Sequence, residues 1–216
     1  MEAQQKAKKL FEEIENRGLI TAGKSENEVS ARIFDLAKSL FGIDKYWHKK
    51  IVRAGENTIL PYDFNPPDRI VQNDDIVWVD FGPIFEEWEA DFGRTYVIGN
   101  DPNKLRIKND VQNVWHQCKN MYVENQSISG AEFYAYACAS AQNLGWAFGS
   151  EIAGHLIDQF SHHKIHSRDQ INYICAENPS DLKTNLEPGK ERIWILEIHL
   201  VDPQKQFGAF YEELLI

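Results

Sequence analysis

Two aspartates stand inside segments that otherwise read as buried strands, and they constrain the fold more than any other feature of the sequence. Asp80 follows the apolar run 76–79 directly, and Asp91 precedes the strand-like run 92–98. An isolated ionised carboxylate in an apolar interior costs several kcal/mol. The turn residues between the runs predict a β-hairpin with a long tip, on which both carboxylates can share one face. A divalent metal ion is the simplest group that neutralises such a pair.

The chain reads as two similar halves, each with two helices followed by strands and a final hairpin. The predicted helices cover 3–17, the stretch from a Ser25/Glu28 capping box to Gly42, residues 102–125, and the stretch from a Ser129/Glu132 box to about 144. The predicted strands lie near 49–54, 75–81, 91–98, 164–166, 191–201 and 207–215. Helices grouped before antiparallel strands predict an α+β fold. A length of 216 residues predicts one domain over 1–216.

The second hairpin also carries acids among apolar residues. Glu197 lies within the run 193–201 and Glu212 within 210–215, where Glu213 is an alternative to Glu212 as the inward-facing acid. A lone acid in a strand usually faces solvent, but two acids in each of two hairpins favour metal ligation. Two divalent ions would balance four carboxylates. An oxygen-rich site favours manganese, with cobalt, iron or zinc as alternatives.

The nitrogen ligand is expected in the histidine-containing loop 154–163. Such a loop is most often a solvated segment, but Gly154 precedes His155, and His162 follows seven positions later. These histidines suggest a division of labour, in which one ring binds metal and the other donates a hydrogen bond to a substrate carbonyl. The other histidines are expected to be exposed, although one of them shares a strand face with Glu197: His48, His116, His163, His166 and His199.

Composition excludes several classes of partner. The net charge of −10 argues against nucleic acid and against anionic membrane surfaces. The three cysteines have no metal-binding spacing, and the charged amino-terminal segment lacks the apolar core of a signal peptide. No apolar run approaches the roughly 20 residues that span a bilayer. We therefore expect a cytoplasmic protein, and the sequence leaves open whether it forms a homodimer.

Five of these residues, in this order, resemble the metal site of the pita-bread metallopeptidases, which include methionine aminopeptidases, Xaa-Pro aminopeptidases and dipeptidases, and creatinase. The matching residues are Asp80, Asp91, His155, Glu197 and Glu212. The resemblance implies a pita-bread fold and a dinuclear hydrolase that uses a metal-bridging hydroxide and acts on a peptide or small amide. It implies that Glu197 is both a ligand and the general base, and that His162 stabilises the tetrahedral oxyanion.

Two further segments look like those of the Xaa-Pro branch, and the resemblance implies that the chain corresponds to its catalytic domain alone. These segments are 55–61, which ends in proline, and 91–96. The chain departs from the branch at Tyr62, where a histidine usually follows that proline, and at Phe210, where an arginine is usual. Tyr62 could donate a hydrogen bond but cannot shuttle protons near neutral pH as imidazole does.

This departure bears on whether peptidase activity is retained, so two alternatives stay open. One is a creatinase-like hydrolase of a small non-peptide C–N bond. The other is a pita-bread module that binds metal without catalysis.

Overall fold

An antiparallel sheet, covered on one face by helices, forms the centre of the molecule. The computed structural model of the protein describes residues 2–157, 169–185, 189 and 191–216. In chain order its helices are α1 (Glu2–Asn16), α2 (Glu26–Phe41), α3 (Pro102–Glu124) and α4 (Gly130–Asn143). Its strands are β1 (Ile51–Ala54), β2 (Ile76–Phe81), β3 (Ile84–Phe85), β4 (Trp88–Glu89), β5 (Phe92–Val97), β6 (Ala147–Phe148), β7 (Ile152–Leu156), β8 (Tyr173–Cys175), β9 (Trp194–Val201) and β10 (Gly208–Leu215).

The helices begin and end where the sequence signals predict. Ser25 accepts a hydrogen bond from the backbone N–H of Glu28, whose carboxylate in turn accepts one from the Ser25 backbone. Ser129 and Glu132 form the same reciprocal box at the start of α4. Helix α2 ends at Gly42, which has a left-handed φ of 70°. The predicted helix boundaries are therefore confirmed to within a few residues.

The main sheet joins the hairpins of the two halves at its centre. Its strand order is β1-β2-β5-β10-β9-β7-β8, and β6 adds to β9. The first hairpin, β2–β5, pairs with the second, β9–β10, through β5 and β10. The two chain halves thus contribute equivalent hairpins that lie side by side.

Alternation along the strands separates an apolar face from a polar one. Val77 and Val79 pack with residues of α1 and α2, while α3 and α4 pack on β9 residues such as Leu196. Trp78 and Asp80 alternate with these valines and so point to the opposite face. All four predicted acids belong to the face that the helices leave uncovered.

Several strands were not predicted from the sequence. They are β6, β7 and β8 in the second half, and the short β3–β4 pair at the tip of the first hairpin. The strand predicted near 164–166 lies outside the described residues. Among the residues that are described, no helix has the length and apolar character needed to cross a membrane.

Candidate metal centre

Three of the predicted acids lie in one row across the sheet. Asp80 on β2 is opposite Gly93 on β5, Gly93 is opposite Glu212 on β10, and Glu212 is opposite Glu197 on β9. Residues in such register project from the same face of the sheet. The row therefore brings together carboxylates from both halves of the chain, with a glycine between the first two.

Asp91 lies in the middle of this group. It precedes Gly93 by two residues, which places it on the same face, and it is 1% exposed. Its Oδ1 lies 3.2 Å from Nε2 of His48, and its Oδ2 lies 3.1 Å from Nε2 of His155. One aspartate thus contacts two imidazoles, one through each carboxylate oxygen.

His155 belongs to strand β7, so the expectation of a polar loop at this position was wrong. Strand β7 pairs with β9 through Gly154, opposite Leu196, and His155, opposite Ile195. A Cβ at Gly154 would lie 2.0 Å from the carbonyl oxygen of Ile195, and Gly154 has a φ of +146°. Glycine is therefore needed for the close strand contact that holds His155 on the same sheet as the acids.

His48 was expected to be exposed, and that expectation was wrong. Its side chain is 3% exposed, and its Nε2 lies 3.4 Å from Oδ1 of Asp80. Two lysines follow it in the sequence, which is why the segment reads as solvated, while the aromatic residues before it, Tyr46 and Trp47, are a local signal of burial.

His199 was also expected to be exposed but is buried, 2% accessible. Its Nε2 lies 2.8 Å from the carbonyl oxygen of Thr58, so the ring ties β9 to the segment after β1. It contacts the rings of Trp78 and Phe210. His116 is exposed as expected. His162, His163 and His166 lie outside the described residues.

Glu212, not Glu213, faces the group of acids. Glu212 is 2% exposed and lies in the row across the sheet. Glu213 points to the helix-covered face, where it forms an ion pair with Arg94. The Arg94 guanidinium is itself stacked between the rings of Phe92 and Tyr211, 3.8 and 3.7 Å from their centroids.

Burial without full hydrogen bonding determines the electrostatics of the group. Desolvation raises the pKa of Asp80 to about 7 and that of Glu197 to about 8, and it raises the pKa of Glu212 well above its usual range. Burial would also raise the pKa of Asp91, but His48 and His155 outweigh it and hold that pKa below its usual range.

On the pKa of the two imidazoles, burial and the neighbouring charges act in the reverse directions to those for Asp91. Burial would lower the pKa of His48, but the neighbouring Asp80 and Asp91 carboxylates raise it to about 9. Burial would likewise lower the pKa of His155, but its hydrogen bond to Asp91 and the charges of Asp91 and Glu197 raise it to about 9. Protons and a cation would therefore compete for these side chains.

Within this group of acids, three buried carboxylate oxygens have no hydrogen-bond partner among the described residues: Asp80 Oδ1, Glu197 Oε1 and Glu212 Oε2. Leaving a buried acceptor unsatisfied costs about 1–3 kcal/mol, and more when it is charged. Two overlapping sets offer ligand atoms within 4.8 Å of one another, namely His48, Asp80 and Asp91, and Asp91, His155 and Glu212. Carboxylate and imidazole donors fit one or two divalent cations.

Tyr62 lies at the edge of this group. The residue is 44% exposed, and its ring centroid lies 5.8 Å from that of His48. The Lys49 ammonium lies 4.4 Å from the centroid of the same ring and donates hydrogen bonds to the backbone carbonyls of Tyr62 and Phe64. Tyr62 therefore flanks the polar face without belonging to the buried carboxylate row.

This fold and site define a class of protein. The sequence model of metallopeptidase family M24 matches residues 1–216, and the chain belongs to that family. Sequence relatives include the Xaa-Pro dipeptidase of Pyrococcus furiosus, 32% identical over 87 residues that make up 40% of this chain and 24% of that protein. The corresponding enzyme of Pyrococcus horikoshii is 33% identical over the same length. The resemblance to the Xaa-Pro branch is thereby confirmed.

Similar solved structures confirm the pita-bread fold. The prolidase of Thermococcus sibiricus superposes with a TM-score of 0.77 at 22% identity, covering 99% of this chain and 53% of that one. The methionine aminopeptidase of Thermotoga maritima has a TM-score of 0.69 at 15% identity, covering 99% of this chain and 93% of that one. The chain thus spans about half the length of the prolidase and nearly the full length of the aminopeptidase.

Proposed function

We propose that this protein is a dinuclear metal-dependent hydrolase that acts at the amino-terminal end of peptides, as an aminopeptidase or Xaa-Pro dipeptidase. The observation that carries the proposal is the set of buried carboxylate oxygens of Asp80, Glu197 and Glu212 that accept no hydrogen bond from the residues that the structure describes. A protein that needed these acids only for packing would gain stability by replacing them with apolar residues. Membership of the metallopeptidase family and the Xaa-Pro dipeptidase relatives support the same proposal.

The proposed ligands would divide between two sites that share Asp91. Asp80 and Asp91 would hold one ion, and Asp91, His155 and Glu197 the other, with Glu212 between them. Divalent ions bound here would lower the pKa of water and polarise a substrate carbonyl. Four carboxylates balance two such ions, and an oxygen-dominated donor set favours manganese.

The protein's own groups would bind and move protons around this centre. The Oε1 atom of Glu197 is buried and has no hydrogen-bond partner among the described residues, so this carboxylate could take a proton from the attacking water and pass it to the leaving nitrogen. His162 would donate to the developing oxyanion, a role that the family resemblance implies for it. We also propose that residues 1–216 form one catalytic domain.

Tyr62 is proposed to lower peptidase activity relative to a histidine at the same position. Its ring lies near His48 and the carboxylates, but a phenol does not exchange protons near neutral pH. We expect Tyr62→His to raise kcat/KM for an Xaa-Pro dipeptide by at least about 10-fold, in the range that a positioned acid–base group supplies. Tyr62→Phe is the matched control, because it removes the hydroxyl and adds no imidazole. Equal rates in the wild type and Tyr62→His would contradict this role.

A release assay tests the proposed function. Metal-free protein is reconstituted with Mn²⁺, Co²⁺ or Zn²⁺, its metal content is measured, and it is then given Xaa-Pro dipeptides, longer Xaa-Pro peptides and Met-initiated peptides. We expect two ions per chain and release of the amino-terminal residue, abolished in Glu197→Gln. Absence of any bound divalent ion would overturn the proposal.

A second candidate is hydrolysis of a small non-peptide C–N bond, and Phe210 favours it. Its ring carbons occupy the space above Gly93, beside the acids, where the Xaa-Pro branch usually has arginine. Two bound ions together with turnover of a small guanidino compound, but of no peptide, would support this candidate. Two bound ions without turnover of any substrate would instead indicate a non-catalytic metal-binding module.

A further inference from the structure

His48 reaches the candidate metal centre from outside both hairpins. It precedes β1, yet its side chain is 3% exposed and its Nε2 faces Asp80 and Asp91. It is not among the five residues that match the family's metal site. Its position therefore needs an explanation of its own.

The hydrogen bonds of the ring leave Nε2 directed at the acids. Nδ1 of His48 lies 2.6 Å from the carbonyl oxygen of Lys49, and a carbonyl can only accept, so Nδ1 donates the proton. His155 has the same arrangement, with Nδ1 3.0 Å from the Leu156 carbonyl and Nε2 facing Asp91. A ring whose Nδ1–H donates to a backbone carbonyl presents Nε2 in the form that binds metal.

The distances around Nε2 of His48 match those between ligands of one ion. Nε2 lies 3.4 Å from Asp80 Oδ1 and 3.2 Å from Asp91 Oδ1. Ligand atoms bound at about 2.1 Å are about 3.0 Å apart in an octahedron and about 3.4 Å apart in a tetrahedron. The three side chains could therefore share an ion with little movement.

The surrounding chain fixes the imidazole in this position. A Cβ at Gly82 would lie 2.2 Å from Cδ2 of His48 and 2.3 Å from the Trp47 indole nitrogen, so a glycine leaves the space that both rings use. The Trp47 backbone N–H donates to the Gly82 carbonyl, and its indole N–H donates to the Ala90 carbonyl, each at 3.0 Å. The Trp47 ring also contacts both imidazoles, and its centroid lies 4.2 Å from that of His48 and 5.6 Å from that of His155.

We propose that Nε2 of His48 is a sixth protein ligand of the metal centre and binds the ion held by Asp80 and Asp91. Each of the two ions would then have one imidazole ligand, from His48 at one site and His155 at the other. The inference rests on the proposed dinuclear centre and extends its ligand set. A nitrogen donor at both sites raises the affinity for cobalt and zinc relative to an all-oxygen site.

Calorimetric titration with Zn²⁺ and Mn²⁺ tests the proposal in the wild type, His48→Gln and His155→Gln. The exposed His116→Gln is the matched control. We expect two ions in the wild type and the control, and an affinity at one site at least about 10-fold weaker in His48→Gln. We expect His155→Gln to weaken the other site. Two ions bound with unchanged affinities by His48→Gln would overturn the role of His48 and leave the proposed function intact, whereas a wild type that binds no ion would overturn both.

The ¹⁵N chemical shifts of the histidine rings give a second readout that does not depend on a variant folding. On addition of Zn²⁺ to the wild-type protein, we expect the Nε2 resonances of two histidines to move to the metal-bound range while their Nδ1 sites stay protonated. The signals are assigned in the wild-type protein by correlating each ring with its sequentially assigned backbone. Movement of the His155 signal alone would overturn the inference.

Discussion

At the scale of single residues, Gly93 determines how closely the carboxylates of the two halves approach. It stands between Asp80 and Glu212 in the row across the sheet, on the face that carries both acids. A Cβ there would lie 2.4 Å from a ring carbon of Phe210 and 3.0 Å from Cβ of Glu212. The absence of a side chain therefore lets the phenyl ring cover β5 and keeps the neighbouring acids in register.

Gly93→Ala should disturb both packing and metal binding. We expect it to lower the free energy of unfolding by about 1–3 kcal/mol, as other overpacked sites do, because the Phe210 ring must move. Metal affinity should fall as well, since Glu212 is displaced with it. Urea unfolding and calorimetric metal titration measure the two effects.

The double variant Gly93→Ala with Phe210→Leu provides the control for this prediction. Leucine removes the ring carbons that the new Cβ meets, so the double variant should lose less stability than the sum of the single losses. Strict additivity of the two changes would show that the contact between residues 93 and 210 is not the cause.

At the scale of secondary structure elements, the two capping boxes should have separable effects on stability. Ser25→Ala and Ser129→Ala each remove the acceptor for one N-terminal amide, and each should lower the free energy of unfolding by about 1 kcal/mol. Ser39→Ala, on the exposed face of α2, is the matched control and should change it by no more than about 0.5 kcal/mol. Equal effects of Ser25→Ala and Ser39→Ala in urea unfolding would contradict the capping role.

The elements that could be predicted from the sequence are those with local signals. The capping boxes identify α2 and α4, and acids embedded in apolar runs identify β2 and β9 together with the face that carries the proposed metal ligands. Each of these strands pairs with the other strand of its own hairpin, which places Asp80 opposite Gly93 and Glu197 opposite Glu212. These features depend on residues close together in the chain.

The features that could not be predicted depend on contacts between distant segments. Strand β7 exists because Gly154 fits against the Ile195 carbonyl on β9, and an isolated glycine more often argues against a strand. His48 enters the site because the chain before it is hydrogen-bonded to the hairpin turn, with Ile84 donating to Lys45 and Trp47 donating to Gly82. Neither contact leaves a periodic pattern in the sequence.

At the scale of the whole molecule, the sheet has one face that stabilises the fold and another that costs stability. The helix-covered face buries large apolar residues such as Trp115, Phe133 and Ile33. The opposite face buries Asp80, Asp91 and Glu212, whose desolvation and mutual repulsion oppose folding and would be relieved by a bound cation. We therefore expect bound metal to increase the free energy of unfolding, in addition to the contribution of the apolar core.

This coupling predicts how metal and one substitution act together on stability. Mn²⁺ at 100 times its dissociation constant should raise the free energy of unfolding by about 2.7 kcal/mol for each ion bound, and chelation should reverse the gain. Glu212→Gln removes a buried acid, so the metal-free variant should be at least as stable as the metal-free wild type, but Mn²⁺ should stabilise it much less.

Glu213→Gln is the matched control for that comparison, because the adjacent side chain faces the other side of the sheet and pairs with Arg94. Loss of this partly exposed ion pair should cost no more than about 1 kcal/mol and should leave the Mn²⁺-dependent gain unchanged. Urea unfolding of the three proteins, with Mn²⁺ and with chelator, gives the six free energies needed. An equal Mn²⁺-dependent gain in Glu212→Gln and Glu213→Gln would show that the face of the sheet on which an acid lies does not determine its role in metal binding.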